Sequence, residues 1–233
     1  MKFAVVVFPG TSGEGDCIHV LKGLLGHEVT ILSHKETSLG DAQCVILPGG
    51  ASYGDYLRPG ALAKSTPIME PIRKFAQADG LVLGVGNGFQ VLLEAGLLPG
   101  AMLPNQSLRF IARPQLLRVE NTNTPFTKLY QKGQLIKMPI AHGSGNYYLD
   151  SEGLLELEGN GQIVFRYADK TGEIGDNPNG SVGNIAGITN PRGNVLGMMP
   201  HPERSTEEVL GSTDGLALFQ GIMEVLERGY PLM

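Results

Sequence analysis

Apolar runs that end at glycine alternate with amphipathic stretches over the first hundred residues. Short continuous apolar segments predict buried strands, and apolar residues that recur every three or four positions predict helices. The predicted strands are residues 2–8, 28–32, 44–47 and 81–83. The predicted helices are residues 16–25, 68–77 and 89–95. Strands bounded by glycine and separated by helices are typical of a parallel sheet that is covered on both faces.

The remainder of the chain is organised differently, because its apolar segments are shorter and few helices separate them. The segments predicted as antiparallel strands beside the main sheet are residues 116–120, 134–140 and 163–166, and those predicted as a hairpin are 185–188 and 195–199. Residues 170–183 are dense in Gly, Asn and Asp and predict a surface loop, and residues 214–228 predict a helix. We therefore expect one α/β domain over residues 1–233, with a doubly wound, mostly parallel sheet and a small antiparallel extension.

Residues 81–90 carry the most specific local signal in the chain. A buried strand runs into a Gly-x-Gly-x-Gly turn and then into an amphipathic helix. This arrangement is a nucleophile elbow, in which the residue at the apex is exposed above the end of a sheet. The apex is Gly86, which has no side chain that could attack a substrate. The motif therefore predicts an active-site framework without its nucleophile.

Two further loops follow predicted strands and reach the same edge of the sheet, where α/β folds bind ligands. After the third strand, backbone N–H groups at Gly50 and Ala51 could stabilise an oxyanion, although an ordinary tight turn explains the same glycines. After the last strand, His201 and Glu203 stand two residues apart on a segment expected to be extended, which places both side chains on one side. The carboxylate could then orient the imidazole for acid–base chemistry.

Composition excludes several other functions. The chain has 18 Lys and Arg against 23 Asp and Glu, a formal charge of −5, so a nucleic-acid partner is not expected. No apolar run reaches membrane-spanning length and no signal-peptide pattern opens the chain, which predicts a cytoplasmic protein without a membrane partner. The spacing of Cys, His and Asp residues predicts no metal site. The two cysteines predict no disulfide framework.

Several longer strings carry a family resemblance. They are SYGDYLR (52–58), NGFQ (87–90), GLLPGA (96–101), PIAHG (139–143), GNVLGMMPHPER (193–204) and GSTDG (211–215). On these residues the chain resembles the class I glutamine amidotransferases over its full length. Within them it is similar to the glutaminase subunits of phosphoribosylformylglycinamidine synthases of purine biosynthesis. The resemblance implies a flavodoxin-like fold and glutamine as the family's substrate.

The resemblance also implies roles for individual residues. A cysteine thiolate at the elbow would attack the glutamine amide, with His201 as its base and Glu203 orienting the imidazole. Backbone N–H groups of Gly50, Ala51 and Asn87 would hold the oxyanion, and Gln90 would help to position the substrate. Ammonia would pass to a large synthetase subunit in a complex that also has a small bridging subunit. ATP and Mg²⁺ are expected on that synthetase, and no cofactor is expected on this chain.

The chain departs from the family pattern at several positions besides Gly86. The family has Phe at the position of Ala51, Asn-Cys at Ser12 and Gly13, Cys at Ala112 and Glu at Ser144. Every departure removes bulk or charge, and most are expected on the loops around the site, so we expect the pocket to be emptied while the fold is kept. A natural paralogue and an engineered protein explain this pattern equally well.

Three questions remain open from the sequence. Cys17 near a helix start could serve as a substitute thiol, although a buried apolar role is favoured. His142 could line the site or make a structural hydrogen bond. The leading hypothesis is a subunit that cannot hydrolyse glutamine; a non-catalytic binding or scaffold protein with an enlarged pocket is the alternative. A related hydrolase with another nucleophile is disfavoured, because no Ser or Thr occupies an elbow.

Overall fold

The computed structural model describes residues 1–229 and contains eleven strands and five α-helices in this range. The strands are β1 (Lys2–Val7), β2 (Glu28–Ser33), β3 (Cys44–Leu47), β4 (Leu81–Val85), β5 (Ala101–Leu103), β6 (Ile111–Val119), β7 (Leu135–His142), β8 (Asn146–Tyr148), β9 (Ile163–Tyr167), β10 (Ile185–Thr189) and β11 (Val195–Met198). The helices are α1 (Glu14–Ile18), α2 (Met69–Gln77), α3 (Asn87–Glu94), α4 (Ser151–Gly159) and α5 (Leu216–Glu227).

Nine strands form one sheet in the order β2-β1-β3-β4-β11-β10-β9-β6-β7. The first five of these strands pair in parallel, and every pairing from β11 onward is antiparallel. The predicted α/β class and its antiparallel extension are confirmed. β4 lies between β3 and β11, so Gly86 follows a central strand, as predicted.

Alternate residues of the parallel strands face opposite sides of the sheet and form two hydrophobic cores. Phe3, Cys44 and Leu83 pack on one side with α5. Val45 and Leu47 pack on the other side with α2 and α3. Both faces of β1, β3, β4 and β11 are therefore covered, whereas the edge strand β2 is largely exposed. Burial on both faces explains why the covered strands are continuously apolar in the sequence.

The structure corrects three predictions made from the sequence. The first helix begins at Glu14 and continues after Ile18 as a π-helix, His19–Leu24. A two-stranded sheet of β5 and β8 and the helix α4 were not predicted. The 170–183 segment is only partly a surface loop, because Asn179 and Ser181 are buried. The side-chain amide of Asn179 is held in this buried position by hydrogen bonds to His142 and Tyr167.

Candidate functional site

Gly86 occupies the turn between β4 and α3 with φ +53° and ψ −110°. A residue with a Cβ rarely adopts this conformation, so the turn itself favours glycine. Its N–H donates to the Met198 carbonyl at 2.8 Å, which fixes the turn against β11. Gly88 is required for a different reason, because a Cβ there would collide with the Leu47 carbonyl oxygen. The elbow geometry is therefore complete, although its apex has no side chain.

His201 and Glu203 form a buried pair beside this apex. Nδ1 of His201 lies 2.7 Å from Oε1 of Glu203, so the predicted pairing is present. The segment is not extended as predicted, because Pro202–Arg204 forms one 3₁₀ turn that brings the carboxylate back to the ring. The His201 N–H also donates to the Pro139 carbonyl at 2.8 Å. These two hydrogen bonds fix both the backbone and the ring of His201.

The remaining polar atoms of this pair have no partner among residues 1–229. They are Nε2 of His201 and Oε2 of Glu203. With Nδ1–H donating to the carboxylate, Nε2 carries a lone pair and can accept a proton. A Cβ built on Gly86 lies 3.3 Å from this nitrogen. This nitrogen is therefore held next to the apex of the elbow, where it could act as a base.

A small cavity of about 100 Å³ adjoins His201. The residues that line it are Gly50, Ala51, Asp55, Asn87, Gln90, Phe110, Ala141, His142, Gly143, Ser144, Met199 and His201. Ligand pockets usually measure about 300–1,000 Å³, so this volume gives no support to an enlarged pocket. Most of the candidate residues nevertheless meet around this one space.

Ser12, Gly13 and Ala112 do not line the cavity. Ser12 and Ala112 are exposed, whereas Gly13 is buried and donates its N–H to the Gly49 carbonyl at 3.0 Å. The sequence predicts that the departures from the family cluster around the pocket. Of these residues, only Ala51 and Ser144 line the cavity, and Gly86 lies next to it. The loop after β1 therefore contacts the Gly49 turn without lining the cavity.

Comparison with known proteins gives the family. Residues 1–216 match the family described as the CobB/CobQ-like glutamine amidotransferase domain. The chain belongs to this family. It is 54% identical to the phosphoribosylformylglycinamidine synthase subunit PurQ of Moorella thermoacetica, over 98% of both chains. It is 53% identical to the subunit of that name from Nitrobacter hamburgensis, over 98% of this chain and 99% of that one.

A solved structure described as PurLQS from Thermotoga maritima contains a chain of the same fold. The TM-score is 0.86 at 43% sequence identity, over 97% of this chain and 98% of that one. The class I amidotransferase fold inferred from the sequence is thus confirmed at full length.

Of the three oxyanion donors expected in this amidotransferase, one is already engaged. The Ala51 N–H donates to the Gly10 carbonyl at 2.9 Å, because Thr11 and Gly50 form an antiparallel bridge between the two loops. Within residues 1–229, the N–H groups of Gly50 and Asn87 donate to no acceptor. The Asn87 N–H belongs to the first turn of α3, where backbone donors are unsatisfied by the helix itself. Within the described residues, Gly50 and Asn87 therefore have free N–H groups at the cavity, whereas the N–H of Ala51 is engaged.

The loop after β3, residues 48–52, is called the oxyanion loop here. The Asn87 side chain connects this loop to the elbow, a role that the sequence did not reveal. Its Oδ1 accepts from the Ser52 N–H at 3.0 Å, and its Nδ2 donates to Oε1 of Gln90 at 2.9 Å. Gln90 in turn donates from Nε2 to the Ser144 carbonyl at 2.6 Å. Nδ2 also lies 3.3 Å from a carboxylate oxygen of Asp55, whose pKa is raised by burial. Three loops are therefore held together by Asn87 and Gln90.

His142 both lines the cavity and makes a structural hydrogen bond, so the two roles left open by the sequence coexist. Asn179 Oδ1 accepts from the Ser181 N–H, which makes Nδ2 the donor toward Nε2 of His142 at 3.1 Å. Nε2 is therefore an acceptor and the ring is neutral. Burial, and to a smaller extent the nearby His201, lowers the pKa of His142 to about 4.

Neither cysteine can replace the missing thiol. Cys17 and Cys44 are both fully buried. Burial raises the pKa of the Cys17 thiol well above its usual value, and the Glu203 carboxylate raises it further. Burial also raises the pKa of Cys44. Because the thiolate is the reactive form, the structure agrees with the buried apolar role that the sequence favoured for Cys17.

Other parts of the described structure offer no competing reaction centre. A larger cavity, about 590 Å³, lies at the opposite end of the sheet beside the β10–β11 loop, and none of the candidate residues lines it. Residues 1–229 contain no group of three or more His, Cys, Asp or Glu side chains that could hold a metal ion. None of the helices described is long and apolar enough to cross a membrane.

Proposed function

We infer that this chain is the glutaminase-type subunit of a phosphoribosylformylglycinamidine synthase. The inference rests on full-length identities of 53–54% to subunits of that name and on the shared fold. Its family substrate is glutamine, whose amide nitrogen is released as ammonia for de novo purine biosynthesis. Family membership supplies the reaction type, and the site supplies the groups that take part in it.

We further propose that this copy does not hydrolyse glutamine by itself. The observation that carries the proposal is the glycine at the apex of a complete elbow, next to a buried His–Glu pair. Ser144 borders the cavity, but it follows β7 and is not on an elbow. The nucleophile is thus absent, while the base, its orienting carboxylate and two oxyanion donors are present.

We propose that the chain acts in a cytoplasmic complex with a large ATP-dependent synthetase subunit and a small bridging subunit. The solved structure with the same fold is described as PurLQS, an assembly of three kinds of subunit. Released ammonia is useful only where a synthetase consumes it, so ATP and Mg²⁺ are assigned to that partner. Co-purification of this chain with its own synthetase subunit tests the assembly, and a strictly monomeric chain in the presence of that subunit would reject it.

A glutaminase assay of the reconstituted complex tests the proposed deficiency. We expect ammonia release at the level of the background in the unmodified chain, and release above it in the Gly86→Cys variant. Turnover of the unmodified chain comparable to that of a cysteine-containing relative would reject the deficiency. The alternative of a non-catalytic protein with an enlarged pocket is disfavoured by the volume of about 100 Å³.

A further inference from the structure

We propose that the cavity beside Gly86 binds a small monothiol, such as methanethiol, and that His201 activates its sulfur to attack the glutamine amide. The chain would then be a thiol-dependent glutaminase whose nucleophile is not covalently attached to it. The proposal rests on the proposed function, because it assumes a glutamine site that has a base and no nucleophile of its own.

His201 supplies the first argument. The residue is 3% exposed, and its Nε2 has no hydrogen-bond partner within residues 1–229. Buried polar atoms in proteins are almost always hydrogen-bonded, so this acceptor is expected to take a donor from a bound molecule. The Glu203 carboxylate at 2.7 Å from Nδ1 stabilises the imidazolium that forms when Nε2 takes a proton. A thiol S–H is a donor of the required kind.

The size and the lining of the cavity supply the second argument. The cavity, at about 100 Å³, is well below the range of about 300–1,000 Å³ of ordinary ligand pockets. Because glutamine must bind at the same site, the space left beside His201 suits a thiol with one or two carbon atoms and not a tripeptide thiol such as glutathione. Ala51, Ala141 and Met199 offer apolar contacts for a methyl group. The free N–H groups of Gly50 and Asn87 lie at the same cavity, where they can stabilise negative charge on oxygen.

Chemistry selects a thiol over water or an alcohol. The cysteine thiol ionises with a pKa near 8.5, and an alkanethiol is less acidic than cysteine but still far more acidic than bulk water, whose pKa is about 15.7. An imidazole base can therefore generate a useful amount of thiolate but very little hydroxide or alkoxide. Sulfur is also the strongest nucleophile among these groups.

The reaction balances without an oxidant or a reductant. Nε2 of His201 takes the thiol proton, and the sulfur forms a bond to the amide carbon of glutamine. The carbon–nitrogen bond then breaks, and the proton on Nε2 passes to the leaving nitrogen to give ammonia. The other product is the γ-thioester of glutamate, which water hydrolyses to glutamate and the free thiol. The sum is the hydrolysis of glutamine, with the thiol regenerated.

Ammonia release by the reconstituted complex, measured against methanethiol concentration, tests the proposal. We expect a saturable increase of at least about tenfold over the thiol-free rate, because general acid–base catalysis alone contributes about 10²–10⁴-fold. Glutathione at the same concentration should give no increase. Transient γ-thioester, detected by trapping with hydroxylamine, should accompany ammonia release. No increase, or an equal increase with glutathione, would overturn the proposal.

Three variants identify the groups that carry out this reaction. His201→Ala should lose the increase, since the base is gone. Gly86→Cys should release ammonia without added thiol and should gain nothing from methanethiol. Cys44→Ala removes a buried thiol at the start of β3, which takes no part in the proposed chemistry, and should retain the full increase. An increase that persists in His201→Ala would reject the proposed base, even if that variant is partly unfolded.

The thiol-free rate keeps the two proposals distinguishable. If the unmodified complex hydrolyses glutamine without thiol, the proposed deficiency fails. If it is inactive both with and without thiol while Gly86→Cys is active, the deficiency stands and only the thiol-dependent reaction is rejected.

Discussion

A Cβ atom built on Gly86 lies 3.3 Å from Nε2 of His201 and 3.2 Å from its Cε1. Non-bonded carbon atoms are most favourably about 3.5–4.0 Å apart, so the ring occupies part of the space that any side chain at residue 86 requires. The backbone at Gly86 adds a second constraint, because its φ of +53° is unfavourable for residues with a Cβ. The absence of a side chain thus affects both the stability and the chemistry of this site.

Gly86→Ala should lower the free energy of unfolding by about 1–3 kcal/mol, the usual cost of a sparsely populated backbone conformation. For a chain of 150–250 residues, each kcal/mol corresponds to a change in Tm of about 2–4 °C. Urea and thermal unfolding of both proteins measure the change. Gly211→Ala is the matched control, since Gly211 also has positive φ (+86°) but a Cβ there meets nothing within 4 Å. A Gly86→Ala variant as stable as the unmodified chain would contradict the expectation.

Gly86→Cys alone should restore only part of the glutaminase activity. The new side chain must displace the His201 ring by a few tenths of an ångström, and small errors in position lower turnover considerably. Ala51 also stands where the family has Phe at the edge of the cavity. This residue follows the Gly50 donor, and removal of one oxyanion donor costs about 10²–10³-fold in turnover, so a displaced donor also lowers turnover. Steady-state kinetics of the complex should place the variant well below a cysteine-containing relative.

Further reversions test the source of that deficit. Adding Ala51→Phe should increase turnover, because this residue borders the cavity. Reverting Ser12 and Gly13 should act indirectly, because a Cβ at residue 13 would lie only 3.1 Å from the Gly49 nitrogen and would shift that turn by a few tenths of an ångström. Near-normal turnover from Gly86→Cys alone would show that these other departures are incidental.

Asn87→Ala should weaken both the fold and the restored reaction. The change leaves the buried Ser52 N–H and the Gln90 Oε1 without partners, and each such loss costs about 1–3 kcal/mol. In the Gly86→Cys background we expect a lower kcat as well, because the oxyanion loop is no longer connected to the elbow. Asn87→Asp is the companion variant, which keeps an acceptor for Ser52 but places a carboxylate oxygen against Asp55 and Oε1 of Gln90. It should therefore lose the connection to Gln90 and keep the one to Ser52. Equal kcat values for all three proteins would contradict the assigned role.

Local patterns explain how much of this molecule could be predicted from its sequence. The strands β1, β3, β4 and β11 were recognisable because both of their faces are buried, so apolar residues are continuous there. The elbow and the His201–Glu203 pair were recognisable because each is encoded within a few consecutive residues. The helix α4 also carried a signal, since Asp150 precedes it and accepts a capping hydrogen bond from the Gly153 N–H at 2.9 Å.

Contacts between distant segments explain what the sequence did not reveal. The Ala51 N–H is engaged because the loops after β1 and β3 meet in an antiparallel bridge. Asn179 is buried against His142, a hydrogen-bond partner that lies 37 positions away in the sequence. Neither fact has a local signature, since polar residues in a Gly- and Asn-rich segment are usually exposed. The three-residue strands β5 and β8 are too short to show a period.

The buried His142 should make the fold sensitive to acid. Its pKa falls from an ordinary value of 6.5 to about 4 in the folded chain, because burial disfavours the charged ring. The unfolded chain therefore binds a proton at a higher pH than the folded chain does. The stabilisation from the neutral ring is fully present above about pH 6.5 and is lost progressively as the pH falls toward 4. Asn179 strengthens the effect, because its Nδ2 donates to the Nε2 lone pair that a proton would otherwise occupy.

Replacement of His142 by Gln tests this expectation, because a glutamine oxygen can accept the Asn179 hydrogen bond and does not titrate in this range. We expect the unmodified chain to lose a few kcal/mol more than His142→Gln between pH 7 and pH 4, as measured by urea unfolding. The difference isolates His142 from the carboxylates, which titrate in both proteins. Over the same interval, Asn179→Ala should retain most of the pH dependence, because burial is its main cause. Parallel stability curves for the unmodified chain and His142→Gln would show that His142 is protonated in the folded state and that its neutral form does not stabilise the fold.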